Sequence, residues 1–293
     1  MLSGCGQFQS VKREYVGYYQ VNWTADGDLI ASKRQSRIDY GSSISFDGES
    51  RKETHQIVKI NPESLIETVI LDVPWYDEIS SFSGFGVSTL FGYLIDNGYQ
   101  EAYLKIVKNG EFSYPRRISL SFLFPRIVWS PDRQHFGISI NDEKFFIYDL
   151  NGALIKERND GGHIVWKNNQ ELFFYSHGSQ KAALYSLNSD TVTVLNHNIR
   201  PGFYDAAQNR LLSVKDGVMF TYNLDLDSVT TKTLSYDFLT LDSYSFSPNG
   251  QKLALSKKKV YQASGYTLSQ ADQPSFGIHL YDLDRDELTK VRD

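Results

Sequence analysis

The chain has 293 residues, with 30 basic and 35 acidic side chains, a net charge of −5 and a pI near 5.7, a balance that argues against nucleic acid as a partner. At 33.5 kDa and 41% hydrophobic it can bury a large core, and its single cysteine excludes an internal disulfide. Apolar runs such as Phe122-Leu123-Phe124 and Phe145-Phe146-Ile147-Tyr148 are far too short to span a bilayer as a helix.

The first feature along the chain is Leu2-Ser3-Gly4-Cys5, followed by polar Gly6-Gln7-Phe8-Gln9-Ser10. An apolar residue, two small residues and a cysteine in this order resemble a bacterial lipobox, whose cysteine sulfur takes a diacylglycerol. The resemblance implies lipidation of Cys5 and an apolar export segment encoded upstream of Met1. Membrane attachment would then run through the lipid on Cys5 rather than through a spanning segment. Gly6 in place of Asp resembles signals that let a lipoprotein proceed to the outer membrane, so a periplasm-facing position in the cell envelope is expected. The competing reading is a stray or buried thiol, which a place four residues from Met1 disfavours. Residues 1–15 are accordingly assigned to a lipobox remnant and tail, and residues 16–293 to one propeller domain.

From there the organisation is a repeat. Asn22-Trp23-Thr24-Ala25-Asp26-Gly27-Asp28-Leu29, Val128-Trp129-Ser130-Pro131-Asp132 and Ser245-Phe246-Ser247-Pro248-Asn249-Gly250 are copies of one strand, tight turn, strand unit. Weaker copies centre on Trp166 and Tyr204, and a degenerate one on Phe82. Proline presets φ in such turns, Asp or Asn bonds its own backbone, and glycine accepts positive φ. Each unit continues into a third strand, such as Phe145 to Leu150, Ala183 to Leu187 or Ile278 to Leu283. A fourth, rich in β-branched residues, follows in Glu67 to Leu71, Thr191 to Leu195 and Val229 to Leu234. Four strands in each of six units, with almost no helical periodicity, predict an all-β fold, a six-bladed β-propeller of four-stranded antiparallel blades.

The units at Trp129-Ser130-Pro131-Asp132 and Phe246-Ser247-Pro248-Asn249-Gly250, each followed by an Ile/Leu-Tyr-Asp-Leu strand, look like the repeat of TolB-like propellers. The likeness covers residues 18 to 291 as architecture and is sharpest in the third and sixth units. It implies a periplasmic protein-binding platform or the non-catalytic domain of a peptidase. The separate N-terminal domain of TolB and the α/β-hydrolase partner of the peptidases have no counterpart here, so the resemblance does not carry their partners with it.

No Gly-x-Ser-x-Gly elbow occurs; the nearest strings, Ser81-Phe82-Ser83-Gly84 and His177-Gly178-Ser179, lack its flanking glycines. No catalytic residue is therefore assigned. The six histidines show no ligand spacing, and no metal or other cofactor is expected; distant ligands gathered by the fold would be sought first at His163 and His197, both placed in inter-blade loops. Asp225-Leu226-Asp227 and Asp282-Leu283-Asp284-Arg285-Asp286 lack the glycine and distal glutamate of a calcium loop and read as turns between third and fourth strands.

Extra length is concentrated in the second-to-third-strand joins of the first and last units, Lys33 to His55 and Lys257 to Ser275. A closed ring makes these units neighbours, so both joins should stand side by side on one face. Long joins in a compact domain are usually functional or disordered. Arg37, Tyr40 and Phe46 in one and Tyr261 and Tyr266 in the other, set among small polar residues, have the composition of interface anchors. The competing reading is a solvated hairpin with incidental tyrosines. On the same face, the inter-blade links carry Trp75, Tyr76, Phe122, Phe124, Tyr236 and Phe238, which would rim the channel mouth where inter-blade packing does not consume them. Together these features predict a non-catalytic, lipid-anchored envelope protein that binds a protein partner through one propeller face. Two rivals stay open: a polysaccharide lyase or hydrolase at the channel mouth, and an envelope immunity factor that neutralises a toxin.

Overall fold

The computed structural model describes residues 12–24, 26–40, 49–73, 78–84, 90–96, 102–108, 111–118, 126–140, 143–235, 241–258 and 276–292. The strands follow one another as meanders. The first sheet is β1 (Lys12–Trp23), β2 (Leu29–Tyr40), β3 (Glu49–Ile60) and β4 (Glu67–Val73); the second is β5 (Glu78–Gly84), β6 (Leu90–Asp96), β7 (Ala102–Lys108) and β8 (Glu111–Ile118). The third is β9 (Arg126–Trp129), β10 (His135–Ile140), β11 (Lys144–Asp149) and β12 (Leu154–Arg158). The fourth comprises β13 (Gly161–Trp166), β14 (Glu171–Ser176), β15 (Lys181–Ser186) and β16 (Thr191–Val194). The last two are β17 (Phe203–Asp205), β18 (Arg210–Lys215), β19 (Val218–Asn223) and β20 (Ser228–Thr233), then β21 (Leu241–Phe246), β22 (Lys252–Lys258), β23 (Phe276–Asp282) and β24 (Glu287–Arg292).

Side chains bury themselves between sheets. Phe145 and Ile147 of β11 interlock with Ile164, Trp166, Leu172, Phe174 and Tyr185 of the next sheet. Phe173 and Ala182 meet Leu211 and Tyr222 one seam further on, and Leu212 and Val214 meet Phe246, Leu253 and Tyr281 at the next. The ring closes where Ala254, Ile278, Leu280 and Val291 pack on Tyr18, Val21, Leu29 and Val58. Among the described residues no sheet mixes strands from the two ends of the chain. Closure therefore rests on side-chain packing rather than on strand exchange. Five blades, rather than the six expected from the repeats, are thus defined by side-chain packing; the backbone of β5–β8 forms a further four-stranded sheet, with β5 beside β1 and β9.

Local chemistry explains the regularity. Trp23, Trp129, Trp166 and Phe246 each end the first strand of their blade, as the repeat requires. After Trp23, Trp129 and Phe246 the next residue's hydroxyl fixes the turn: the amide of Asp28 donates to Thr24 Oγ1 (3.0 Å), that of His135 to Ser130 Oγ (3.0 Å) and that of Lys252 to Ser247 Oγ (2.8 Å). On the third-to-fourth-strand turns a second device recurs: the hydroxyls of Tyr185, Tyr222 and Tyr281 each donate to an aspartate five residues on, Asp190, Asp227 and Asp286. Those aspartates hold φ of 55°, 47° and 61°, a left-handed position normally left to glycine. The two acidic strings are thus turns, as read from the sequence.

Three expectations need correction. The join from Lys33 to His55 is mostly strand: β2 runs to Tyr40, β3 starts at Glu49, and their register is continuous from Leu29↔Ile60 to Tyr40↔Glu49. Polar residues along this stretch read as a loop because its sequence carries no apolar alternation. Likewise β1 starts at Lys12, inside the segment assigned to the tail, because Lys12 to Gly17 pair with Asp39 to Arg34. His163 lies within β13 rather than in a loop, at φ 51° where the register slips between Gly162 and Val165.

Candidate functional site

The feature that distinguishes one face is the length of the first blade. Its first three strands have 12 residues each, against 6 in β10, β14 and β18, so a three-stranded extension stands about 20 Å clear of the other described hairpins. It emerges on the face that carries the joins between second and third strands. Arg37 and Tyr40 sit on its central strand, Arg37 between Glu14 and Lys52 in the register and Tyr40 opposite Glu49.

Two polar clusters brace the base of the extension. Along β2, Leu29 and Ala31 face the closing seam, and Lys33 follows them; Ile30, Ser32 and Arg34 take the opposite face, toward β5. On the seam side Glu67 accepts from Lys33 Nζ (2.6 Å) and Tyr18 OH (2.6 Å), with Arg292 Nε at 3.7 Å from the last strand of the chain. Burial alone would raise the Glu67 carboxyl, but the hydrogen bonds from Lys33 and Tyr18 outweigh it and hold it below the usual range. Burial, and then the bond to Glu67, push the Tyr18 phenol well above its ordinary value. Ser256 Oγ adds a bond to the Tyr18 carbonyl (3.0 Å), and the Trp23 amide donates to Ser245 Oγ (3.1 Å), stitching last blade to first.

On the opposite face Ser32 Oγ lies 2.9 Å from His55 Nε2, to which Arg34 Nε also donates at 3.4 Å. Arginine can only donate, so Nε2 is the acceptor and the Ser32 hydroxyl points at it. The pairing has the donor–acceptor sense of a nucleophile and its base, yet Ser32 is 2% and His55 6% exposed. Sealed to that degree, it locks β2 to β3 rather than meeting a substrate. Sequence reading missed both clusters; the signal for them was the i, i+2 spacing of Lys33 with Ala31 and of Arg34 with Ser32 beside a lone histidine in the facing strand.

Of the residues singled out from the sequence, Arg37 and Tyr40 are placed on the extension. Phe46, Tyr261 and Tyr266, the channel-mouth candidates Trp75, Tyr76, Phe122, Phe124, Tyr236 and Phe238, and Cys5 lie outside the described residues. β22 runs to Lys258 and β23 begins at Phe276, so the second long join keeps residues 259–275 outside as well. His197 lies in the link after β16, as expected, its Nε2 2.9 Å from the Asp227 carbonyl oxygen and its ring edge-on to Tyr222 at 4.9 Å. It ties the sheet β13–β16 to β17–β20. Among the described residues no three His, Cys, Asp or Glu side chains gather as a metal site would require, and no helix is long and apolar enough to cross a membrane.

No family model matches the sequence, and no curated protein matches it. Solved structures do. TolB from Acinetobacter baumannii is 13% identical with a TM-score of 0.54, over 96% of this chain and 80% of that one. The C-terminal WD40 domain of Sif2 is 11% identical with a TM-score of 0.53, over 94% and 84%. An oligogalacturonate lyase from Vibrio parahaemolyticus is 12% identical with a TM-score of 0.50, over 84% and 88%. At such identities the likeness speaks for fold alone: the chain is an all-β, TolB-like propeller of four-stranded antiparallel blades.

Proposed function

We propose that this chain is a non-catalytic, lipid-anchored scaffold of the cell envelope, facing the periplasm from the outer membrane. It binds a protein partner through the face from which the first blade projects. In this reading Cys5 carries the lipid. The observation that supports it most is the extension itself, because strands carried well past the ring add little to the inter-blade core and offer side chains to a partner. Arg37 and Tyr40 stand on it, Phe46 follows in the sequence between β2 and β3, and Tyr261 and Tyr266 belong to the sequence between β22 and β23 of the last blade, which closes against the first. A few aromatic and arginine anchors carry most of the free energy in interfaces of this kind.

The test is capture from an envelope extract by the full-length, lipidated protein. Replacing residues 36–53 by an Asn-Gly turn, with the join 259–275 shortened likewise, should abolish capture while the melting temperature stays within a few degrees. Retained capture would refute the assignment and move the site to the channel mouth. Separately, with its native export signal, Cys5→Ser should shift the protein from the membrane to the soluble fraction; an unchanged distribution would rule out the anchor.

A further inference from the structure

Among the described residues the outermost strand of each sheet has one side without a neighbouring strand, and exposed edges invite pairing with other chains unless charge or twist blocks them. Outer strands of this fold carry charge: Glu67 and Asp72 in β4, Glu111, Arg116 and Arg117 in β8, Lys156, Glu157 and Arg158 in β12, Lys232 in β20, and Glu287, Lys290 and Arg292 in β24. β16 differs. Thr191-Val192-Thr193-Val194 has no charge, all four residues are exposed, and Val192 and Val194 are 36% and 47% accessible.

Its backbone orientation follows from the ladder to β15. The Leu195 amide donates to the Ala182 carbonyl (2.8 Å), directly opposite by register. Inward and outward backbone groups alternate along an antiparallel strand. Thr191 and Thr193 therefore turn their N–H and C=O groups toward β15 as Leu195 does, and Val192 and Val194 turn theirs outward. Two outward residues at i and i+2 are the minimum set for an antiparallel pairing of the strand with itself. With a two-fold axis through Thr193, Val192 of one copy and Val194 of the other exchange both hydrogen bonds, and the same holds in reverse. Thr193 then faces its own mate across a non-hydrogen-bonded position.

We propose that β16 is a self-association edge, through which two copies of this chain pair antiparallel about Thr193 and join two blades into one eight-stranded sheet. Charge favours a second copy over a charged peptide as the occupant. The register sets Thr191 opposite Leu195 and Asp190 opposite Asn196, so no like charges meet, and the Asp190 carboxylate is already bonded to Tyr185 and Lys156 within its own chain. Val192 shares a face with Tyr185 and Val194 with Ala183, so the two copies also merge their valines into one apolar strip. Isologous contacts of this kind close on themselves and stop at the dimer.

Sedimentation velocity on the full chain tests this. The mass should rise from one chain at about 1 µM toward two at about 1 mM, the weak range expected of a short edge. Val192→Lys with Val194→Lys puts ammonium groups opposite one another and should leave a monomer at every concentration with an unchanged melting temperature. The register has its own readout. In a Cys5→Ser background, Thr193→Cys should form disulfide-linked dimers on mild oxidation, because opposed non-hydrogen-bonded residues lie about 4.5 Å apart at Cα, within disulfide range. Thr230→Cys, on the edge strand β20, should not. A wild type that stays monomeric, a lysine variant that still dimerises, or cross-linking at Thr230 but not Thr193 would overturn the proposal.

Discussion

Because no strand in the described residues is exchanged between the ends of the chain, the seam between β24 and β1 should be where this propeller opens first, and Glu67 is its main polar fastener. Glu67→Ala removes a carboxylate whose side chain is only 17% exposed, along with its bonds to Tyr18 and Lys33 and its attraction for Arg292. Hydrogen bonds to a charged group contribute about 1.5–3 kcal/mol each, and the surviving partners can reach water in part. The net cost should be about 2–4 kcal/mol, or roughly 4–12 °C in Tm for a domain of this size. Glu67→Gln keeps one donor–acceptor contact and should cost less. The pH dependence has a definite sign. The folded carboxyl titrates below its unfolded value of about 4.3, so its contribution is complete above that pH and is lost as pH falls through the lower folded value. Urea melts between pH 7 and pH 3 should show wild type losing stability below about pH 4 faster than Glu67→Gln. Equal slopes for the two, or a Glu67→Ala cost under about 0.5 kcal/mol at pH 7, would refute the fastener argument.

Other positions make sharper structural claims. Phe145→Ala empties the seam between the sheets β9–β12 and β13–β16, where the ring packs against Phe174 at 5.3 Å and Tyr185 at 6.3 Å, and should cost about 3–5 kcal/mol in chemical denaturation. Gly161→Ala should be nearly as damaging, at about 2–3 kcal/mol, since its new methyl would come within 2.1 Å of the Tyr175 carbonyl oxygen, which belongs to backbone and cannot swing aside. Tyr185→Phe and Tyr222→Phe each delete one hydroxyl bond to an aspartate while keeping the ring, so each should cost about 1 kcal/mol in urea midpoints. The two turns belong to different blades, so the double variant should match the sum to within about 0.5 kcal/mol.

What the sequence disclosed and what it hid divide along one physical line. The turn after Trp23, Trp129 and Phe246 was legible because hydroxyl, proline, Asx and glycine act within a few residues of one another, and the structure uses them that way. Second and third strands were legible where both faces are buried, as in β14 and β11, because such burial writes a continuous apolar run. The first-blade extension was not, since Lys33 to Tyr40 carries neither strict alternation nor an apolar run in its sequence. His163 was misplaced for a related reason: a slip in register with positive φ is decided by the partner strand β14, not by its own neighbours.

The Tyr–Asp pairs stand between these cases. Tyr185-Ser186-Leu187-Asn188-Ser189-Asp190, Tyr222 to Asp227 and Tyr281 to Asp286 are plainly parallel in sequence, yet as strings they announce only turns. Their structural meaning needs the tyrosine buried at the strand end, where a hydroxyl must find a partner. A glycine at the fifth place would accept the left-handed φ more readily, but would leave that hydroxyl unmet. Aspartate accepts the strain because its carboxylate takes the proton donor, and burial together with the Asp227 bond lifts the Tyr222 phenol to about 12. The sheet β9–β12 turns differently. There Tyr148 is followed by Gly152 at φ 76°, and Ala153 stands where the aspartate would be. The turn position thus follows the needs of the strand before it: β13–β16, β17–β20 and β21–β24 share the Tyr–Asp pair, whereas β9–β12 places its left-handed residue one position earlier, at Gly152.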